Sequence, residues 1–194
     1  MKNIFFSLVA LLIISSCQEK QMQQQPEEQQ NLSSQSIFNI NSTWETATGE
    51  KIKLADLQGD VLAVTMVYTS CKVSCPRLAF DMKELEKQVE KEKRGNVKYV
   101  FISIDPENDT PEKMQNFLRS YKLNGDQWIF LRSNEDNTRE LANVLTVRYK
   151  ELSPMELSHS NIISVFSKNG VLAYQKEGLS TDLNETAKAI EKQL

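Results

Sequence analysis

A chain of 194 residues and 22.2 kDa, 40% hydrophobic and 25% charged, has room for one soluble domain with short appendages and can bury its own core. The formal charge of −3 offers no basic, phosphate-binding surface, which argues against nucleic acid as the main partner. With three cysteines and one histidine, a disulfide scaffold is excluded, and any metal or nucleophile chemistry rests on very few side chains.

The chain opens with one basic residue, Lys2, and an apolar run over residues 4–14 interrupted by Ser7. That run is too short for a stable membrane-spanning helix and suits the apolar region of an export signal. The following Ile14-Ser15-Ser16-Cys17 resembles a bacterial lipobox. The resemblance implies a signal peptide over residues 1–16, with Cys17 lipidated, forming the mature N-terminus and holding the protein to a membrane. The alternative is an ordinary signal cut near Ser16 with Cys17 incidental. Either way the domain is expected outside the cytoplasm, in the bacterial cell envelope. Loss of Lys2 with the signal takes the charge from −3 to −4. Residues 18–35 hold eight glutamines among eighteen positions and almost nothing apolar, so residues 17–36 read as a lipidated cysteine and a disordered tether.

Folding is expected from residue 37 to the C-terminus. Short strands are expected at 38–40, 44–46 and 51–54, with Thr48-Gly49 as a turn. Residues 61–68 and 97–104 are nearly continuous apolar, β-prone runs, the pattern of strands buried on both faces. Residues 76–94 read as a helix with Leu78, Met82, Leu85 and Val89 on one face. Within it Glu84–Lys87 and Glu90–Arg94 are expected to pair. Thr110-Pro111 caps and starts the next helix, whose apolar face is Met114, Phe117, Leu118 and Tyr121. A strand at 128–131, a helix at 134–145 and an extended piece at 147–150 follow. Strands at 161–166 and 171–175 flank the hairpin signal Asn169-Gly170, and a helix at 182–193 ends the chain. The order βαβα then ββα is that of an α/β, thioredoxin-like three-layer sandwich, here with a short N-terminal β extension. In such sheets chemistry sits at the carboxyl ends of strands, which selects the loops after Tyr68 and after Ile104.

The first of these loops reads Cys71-Lys72-Val73-Ser74-Cys75-Pro76. Two cysteines four apart at a strand-to-helix junction share one side of a helical turn, and the positive end of the helix dipole, with Lys72, favours thiolate. They are placed to close a disulfide or to chelate one ion. His159, the only histidine, lies 84 residues after Cys75, just before a strand whose entry loop faces the cysteines in this fold. Two thiolates and one imidazole make a soft, low-coordinate pocket suited to Cu(I), and to Cu(II) with a further ligand. Structural zinc wants a fourth protein ligand, and no candidate is evident.

These cysteines, together with Ser103-Ile104-Asp105-Pro106-Glu107-Asn108-Asp109-Thr110-Pro111-Glu112, resemble the SCO/SenC family over most of the domain. The resemblance implies a membrane-tethered copper protein of thioredoxin-like fold, with Cys71, Cys75 and His159 as ligands. It further implies a metallochaperone role toward the dinuclear copper centre of a cytochrome c oxidase subunit or another cuproprotein. The family commonly has proline and an acidic residue between the cysteines; here stand Lys72, Val73 and Ser74, which lowers the negative potential around a cation. Two other functions compete. One is a thiol–disulfide oxidoreductase keeping a partner's copper-binding cysteines reduced, in which Cys71 attacks and Cys75 resolves. The other, peroxide reduction on the same fold, lacks a recognisable peroxidatic environment. Asp105 and Asp109 are read as loop-shaping, with at most a supporting role behind the ligands. Met66 and Met82 are read as core, and Met155 as an adaptable loop contact that is otherwise a transient thioether ligand.

Overall fold

The computed structural model describes residues 32–153, 156–179 and 182–194. Cys17 and the export signal lie outside the described residues, as do Met155 and most of the Gln-rich segment. Among the described residues no helix is long and apolar enough to cross a membrane.

Strand β3 (Val61–Val67) is buried at all seven positions, as its unbroken apolar run requires. It pairs in parallel with β4 (Val97–Ser103), and β4 pairs in parallel with β5 (Trp128–Arg132). The connections are helices α1 (Ser74–Gln88) and α2 (Pro111–Ser120). Both crossovers step the same way across the sheet, so right-handedness sends both helices to one face. On the other side of β3, β8 (Ile162–Phe166) and β9 (Leu172–Glu177) add an antiparallel hairpin. At the far edge β1 (Thr43–Thr46) and β2 (Lys51–Lys53) form the N-terminal β extension, with β1 antiparallel to β5. The sheet order is β2-β1-β5-β4-β3-β8-β9. Helix α4 (Asn184–Gln193) packs on α1 and across β3, β8 and β9. Gln175 joins Ser164 to the Leu145 carbonyl just past α3 (Glu135–Val144), which places α3 over the sheet face that Ser164 presents. The expected thioredoxin-like three-layer sandwich is the observed architecture.

Local chemistry sets several element ends. Thr110 accepts from the Lys113 amide with Pro111 in the first turn of α2, and Asn134 accepts from the Asn137 amide at the start of α3. Residues 38–40 are not a strand: Ser36 Oγ accepts from the Phe38 amide and turns Ile37–Asn39 into a 3-10 helix. That segment is pinned on the β8–β9 turn, with Ile37 N donating to Gly170 O at 2.9 Å and Ser36 Oγ donating to Asn169 O at 2.6 Å. Gly170 has φ +73°, and a Cβ there would lie 2.6 Å from Ser36 Oγ, so both conformation and space demand glycine.

Helix α1 stops at Gln88 rather than running to residue 94, because Val89 turns extended and is buried while residues Lys91–Asn96 tighten into 3-10 turns. The expected Glu90–Arg94 pair gives way: Arg94 instead donates to the carbonyls of Val89 and Lys87, capping the helix end, and Glu90 pairs with Lys93. Glu84–Lys87 pairs as expected, at 2.6 Å. The extended piece after α3 is one strand of a second, two-stranded sheet, β6 (Tyr149–Ser153) with β7 (Glu156–His159). The sequence reading lacked β7 and put His159 in a loop; it is the last residue of that strand, opposite Tyr149.

Candidate metal centre

Tyr68 and Cys71 follow the carboxyl end of β3, where the chain must turn before α1 begins at Ser74. The N-cap position, Val73, has no side chain able to accept a hydrogen bond. The sulfur of Cys71 fills that role and accepts from the Cys75 amide at 3.4 Å. Cys75, fully buried in the first turn, receives the Tyr68 amide on its own sulfur at 3.5 Å. Both cysteines are free thiols.

The β6–β7 ribbon brings His159 to the same place. Nε2 of His159 lies 3.5 Å from Cys75 Sγ and 3.1 Å from Ser74 Oγ. Its Nδ1 lies 3.1 Å from the Ser160 carbonyl oxygen, which can only accept. The hydrogen-bond network therefore assigns the proton to Nδ1 and leaves a lone pair on Nε2, facing the sulfurs. Tyr68 fixes the ribbon: its hydroxyl donates to the Leu157 carbonyl at 3.1 Å and accepts from the Leu157 amide at 3.3 Å. Its ring meets the imidazole edge-on, with centroids 6.0 Å apart. Burial pushes the Tyr68 phenol up to about 12, so it stays a neutral hydrogen-bonding post.

The donor atoms of Cys71, Cys75 and His159 all lie within 4.8 Å of one another. Sequence spacing brought forward these three residues, and the fold brings them together. The two sulfurs differ in electrostatics. Hydrogen bonding from Cys75, together with backbone amides, holds the Cys71 thiol well below its ordinary value, whereas the neighbouring Cys71 sulfur and burial push Cys75 up. Of the two sulfurs, Cys71 is the one whose thiolate form the surroundings favour.

Asp109 is fully buried and joins the two loops at the sheet's carboxyl edge. It accepts from the amide and hydroxyl of Thr69, and from Ser103 Oγ at 2.6 Å. Burial raises its carboxyl, while those donors pull it down. Asp105 shapes the same loop by accepting from the Asn108 side chain at 2.9 Å. Met66 and Met82 are buried in the core. Two contributors went unnoticed in the sequence, Tyr68 as the anchor of the His159 ribbon and Ser74 as a hydroxyl among the donors. The available signal for Ser74 was its place between the cysteines, a hydroxyl immediately before the second of them.

The SCO1/SenC family profile matches residues 31–194. The SCO1 protein homolog of Bacillus subtilis (strain 168) is 33% identical over 89 residues, 46% of each chain, so the chain spans about half the length of that curated relative. Among solved structures, Bradyrhizobium japonicum ScoI with copper bound superposes with a TM-score of 0.67 at 22% identity, covering 79% of this chain and 97% of that one. A SCO1/SenC family lipoprotein from Bacillus anthracis str. Ames gives 0.71 at 19% identity, covering 78% and 91%. At those identities the superpositions speak to the fold, and the profile match over nearly the whole described chain speaks to descent. This chain belongs to the SCO1/SenC family.

Proposed function

We propose that this protein is a copper carrier of the cell envelope, holding one copper ion between Cys71, Cys75 and His159 and passing it to a cuproprotein. By family resemblance the acceptor is the dinuclear copper site of cytochrome c oxidase. The observation that carries the reading is the convergence of two sulfurs and an unprotonated imidazole nitrogen within 4.8 Å. Among the described residues no carboxylate completes that cluster, and a soft set of three donors suits Cu(I) better than zinc or a hard cation. A low-coordinate ion leaves a position open, so an incoming thiolate or imidazole of the partner binds before one of the three donors leaves. Transfer then needs no bare ion in solution. Lipidation at Cys17 and the Gln-rich tether would hold the domain near a membrane-bound acceptor. The test is titration of the reduced full chain with Cu(I) and Cu(II). The expected result is one copper per chain, lost in Cys75→Ser; no uptake of either ion overturns the reading.

The asymmetry of the two sulfurs favours a second reading, thiol–disulfide exchange. The Cys71 thiolate attacks one sulfur of a partner disulfide, forming a mixed disulfide and releasing the other partner sulfur as thiolate. The Cys75 thiol then loses its proton to water and attacks Cys71 Sγ. This closes Cys71–Cys75, releases the second partner thiolate and delivers two electrons to the partner.

A further inference from the structure

Ser74 is the first residue of α1, and its hydroxyl sits among the proposed copper donors. Its Oγ is 3.1 Å from His159 Nε2 and 3.6 Å from Cys71 Sγ. Because Nδ1 of His159 is committed to the Ser160 carbonyl, Nε2 accepts, and the Ser74 O–H donates to it. The lone pair that Ser74 occupies is the one through which His159 would bind an ion. Copper and the serine proton therefore compete for one atom, and loading must turn the hydroxyl away. Its other partner within reach is the Cys71 sulfur. A neutral, hard hydroxyl is a poor ligand beside two thiolates, but it is a good donor to one.

We propose that Ser74 is a positioning residue whose hydroxyl donates to His159 Nε2 when the site is empty and to the Cys71 thiolate when copper is held, biasing the held ion toward Cu(I). The proposal rests on the copper-carrier reading and deepens it. A hydrogen bond to a metal-bound thiolate draws electron density from sulfur. Cu(I) leaves more negative charge on that sulfur than Cu(II) does, so the bond is stronger in the reduced state and favours it. The same bond lowers the sulfur donor orbital and moves the sulfur-to-Cu(II) charge-transfer band to higher energy. Lys72 and Val73, the neighbouring departures from the usual family pattern, do not share this placement; Val73 is 84% exposed.

The test compares the full chain with Ser74→Ala and Ser74→Thr. The readouts are Cu(I) and Cu(II) affinities, the charge-transfer band, and the imidazole 15N shifts of the metal-free chain. In Ser74→Ala the band should move to longer wavelength. The ratio of Cu(II) to Cu(I) affinity should rise about tenfold, which is about 59 mV in a one-electron potential. The metal-free Nε2 resonance should move away from that of a hydrogen-bonded nitrogen. Ser74→Thr, which keeps the hydroxyl, should stay close to the parent in all three. An unchanged band and ratio in Ser74→Ala, or equal changes in both variants, overturns the proposal while leaving the copper reading intact. A parent chain that takes up no copper overturns both.

Discussion

Nε2 of His159 and Sγ of Cys75 lie 3.5 Å apart, although 84 residues separate them in the chain. The contact joins the start of α1 to the end of β7, two elements with no sheet hydrogen bond in common. Tyr68 holds the ribbon in place through Leu157, so the imidazole is pre-positioned rather than recruited. In the proposed copper carrier, pre-positioning would remove ordering cost from metal capture and keep the donors close while a partner exchanged one of them.

His159→Ala separates metal binding from thiol chemistry. It removes one donor of three and leaves both sulfurs and the helix start in place. Cu(II) affinity should fall by at least about 100-fold, since loss of even an outer partner of a ligand costs about 10–100-fold. Cu(I) should stay weakly bound by the two sulfurs, and thiol–disulfide exchange at Cys71 should change little. Affinity titration and exchange rates on the same variant check this. Exchange that collapses with copper affinity unchanged would make His159 a base and not a ligand.

The depressed thiol of Cys71 sets a pH signature for the metal-free, reduced protein. Its folded-state value lies below the unfolded one, so the stabilisation it brings is full above the ordinary thiol value and is lost progressively as pH falls from there to the folded value. Alkylation of Cys71 by iodoacetamide, followed by peptide mass spectrometry, should vary less than about twofold between pH 5 and 8. An ordinary thiol with pKa about 8.5 loses about tenfold per unit over that range. Cys75, buried and shifted upward, should remain unlabelled at neutral pH.

Gly170→Ala tests the clamp of the N-terminal segment on the β8–β9 turn. The positive φ and the 2.6 Å approach to Ser36 Oγ should together cost about 1–3 kcal/mol in urea unfolding. Gly95→Ala is the control: a Cβ there meets nothing within 4 Å, and stability should change by less than about 0.5 kcal/mol.

Cys17→Ala tests the proposed anchor. Membrane fractionation should find the parent with membranes and the variant either released or unprocessed. A variant that is processed normally and still partitions as the parent does contradicts lipidation at Cys17.

What the sequence made legible follows physical lines. β3 and β4 stand out because strands buried on both faces are continuously apolar, and the proposed ligands stand out because cysteine and histidine are so scarce here. β7 was not legible: Glu156-Leu157-Ser158-His159 has one apolar residue, and its extended shape comes from pairing with β6 and from Tyr68, partners distant in sequence. The 3-10 turn at Ile37–Asn39 carries strand-prone residues that Ser36 and the distant Gly170 turn override. Ser74 was visible as a departure from the family pattern, but its role was not, for a different reason. A serine between two cysteines has no assigned partner until the helix start aims its hydroxyl at a histidine from the other end of the domain.

The central claim, one copper held by Cys71, Cys75 and His159, is tested most directly by X-ray absorption of the Cu(I)-loaded full chain beside its Cys75→Ser and His159→Ala variants. The expected parent spectrum has two sulfur scatterers and one imidazole nitrogen per copper, with one sulfur lost in Cys75→Ser and the imidazole signal lost in His159→Ala. A parent spectrum without sulfur, or one that both variants leave unchanged, contradicts the account.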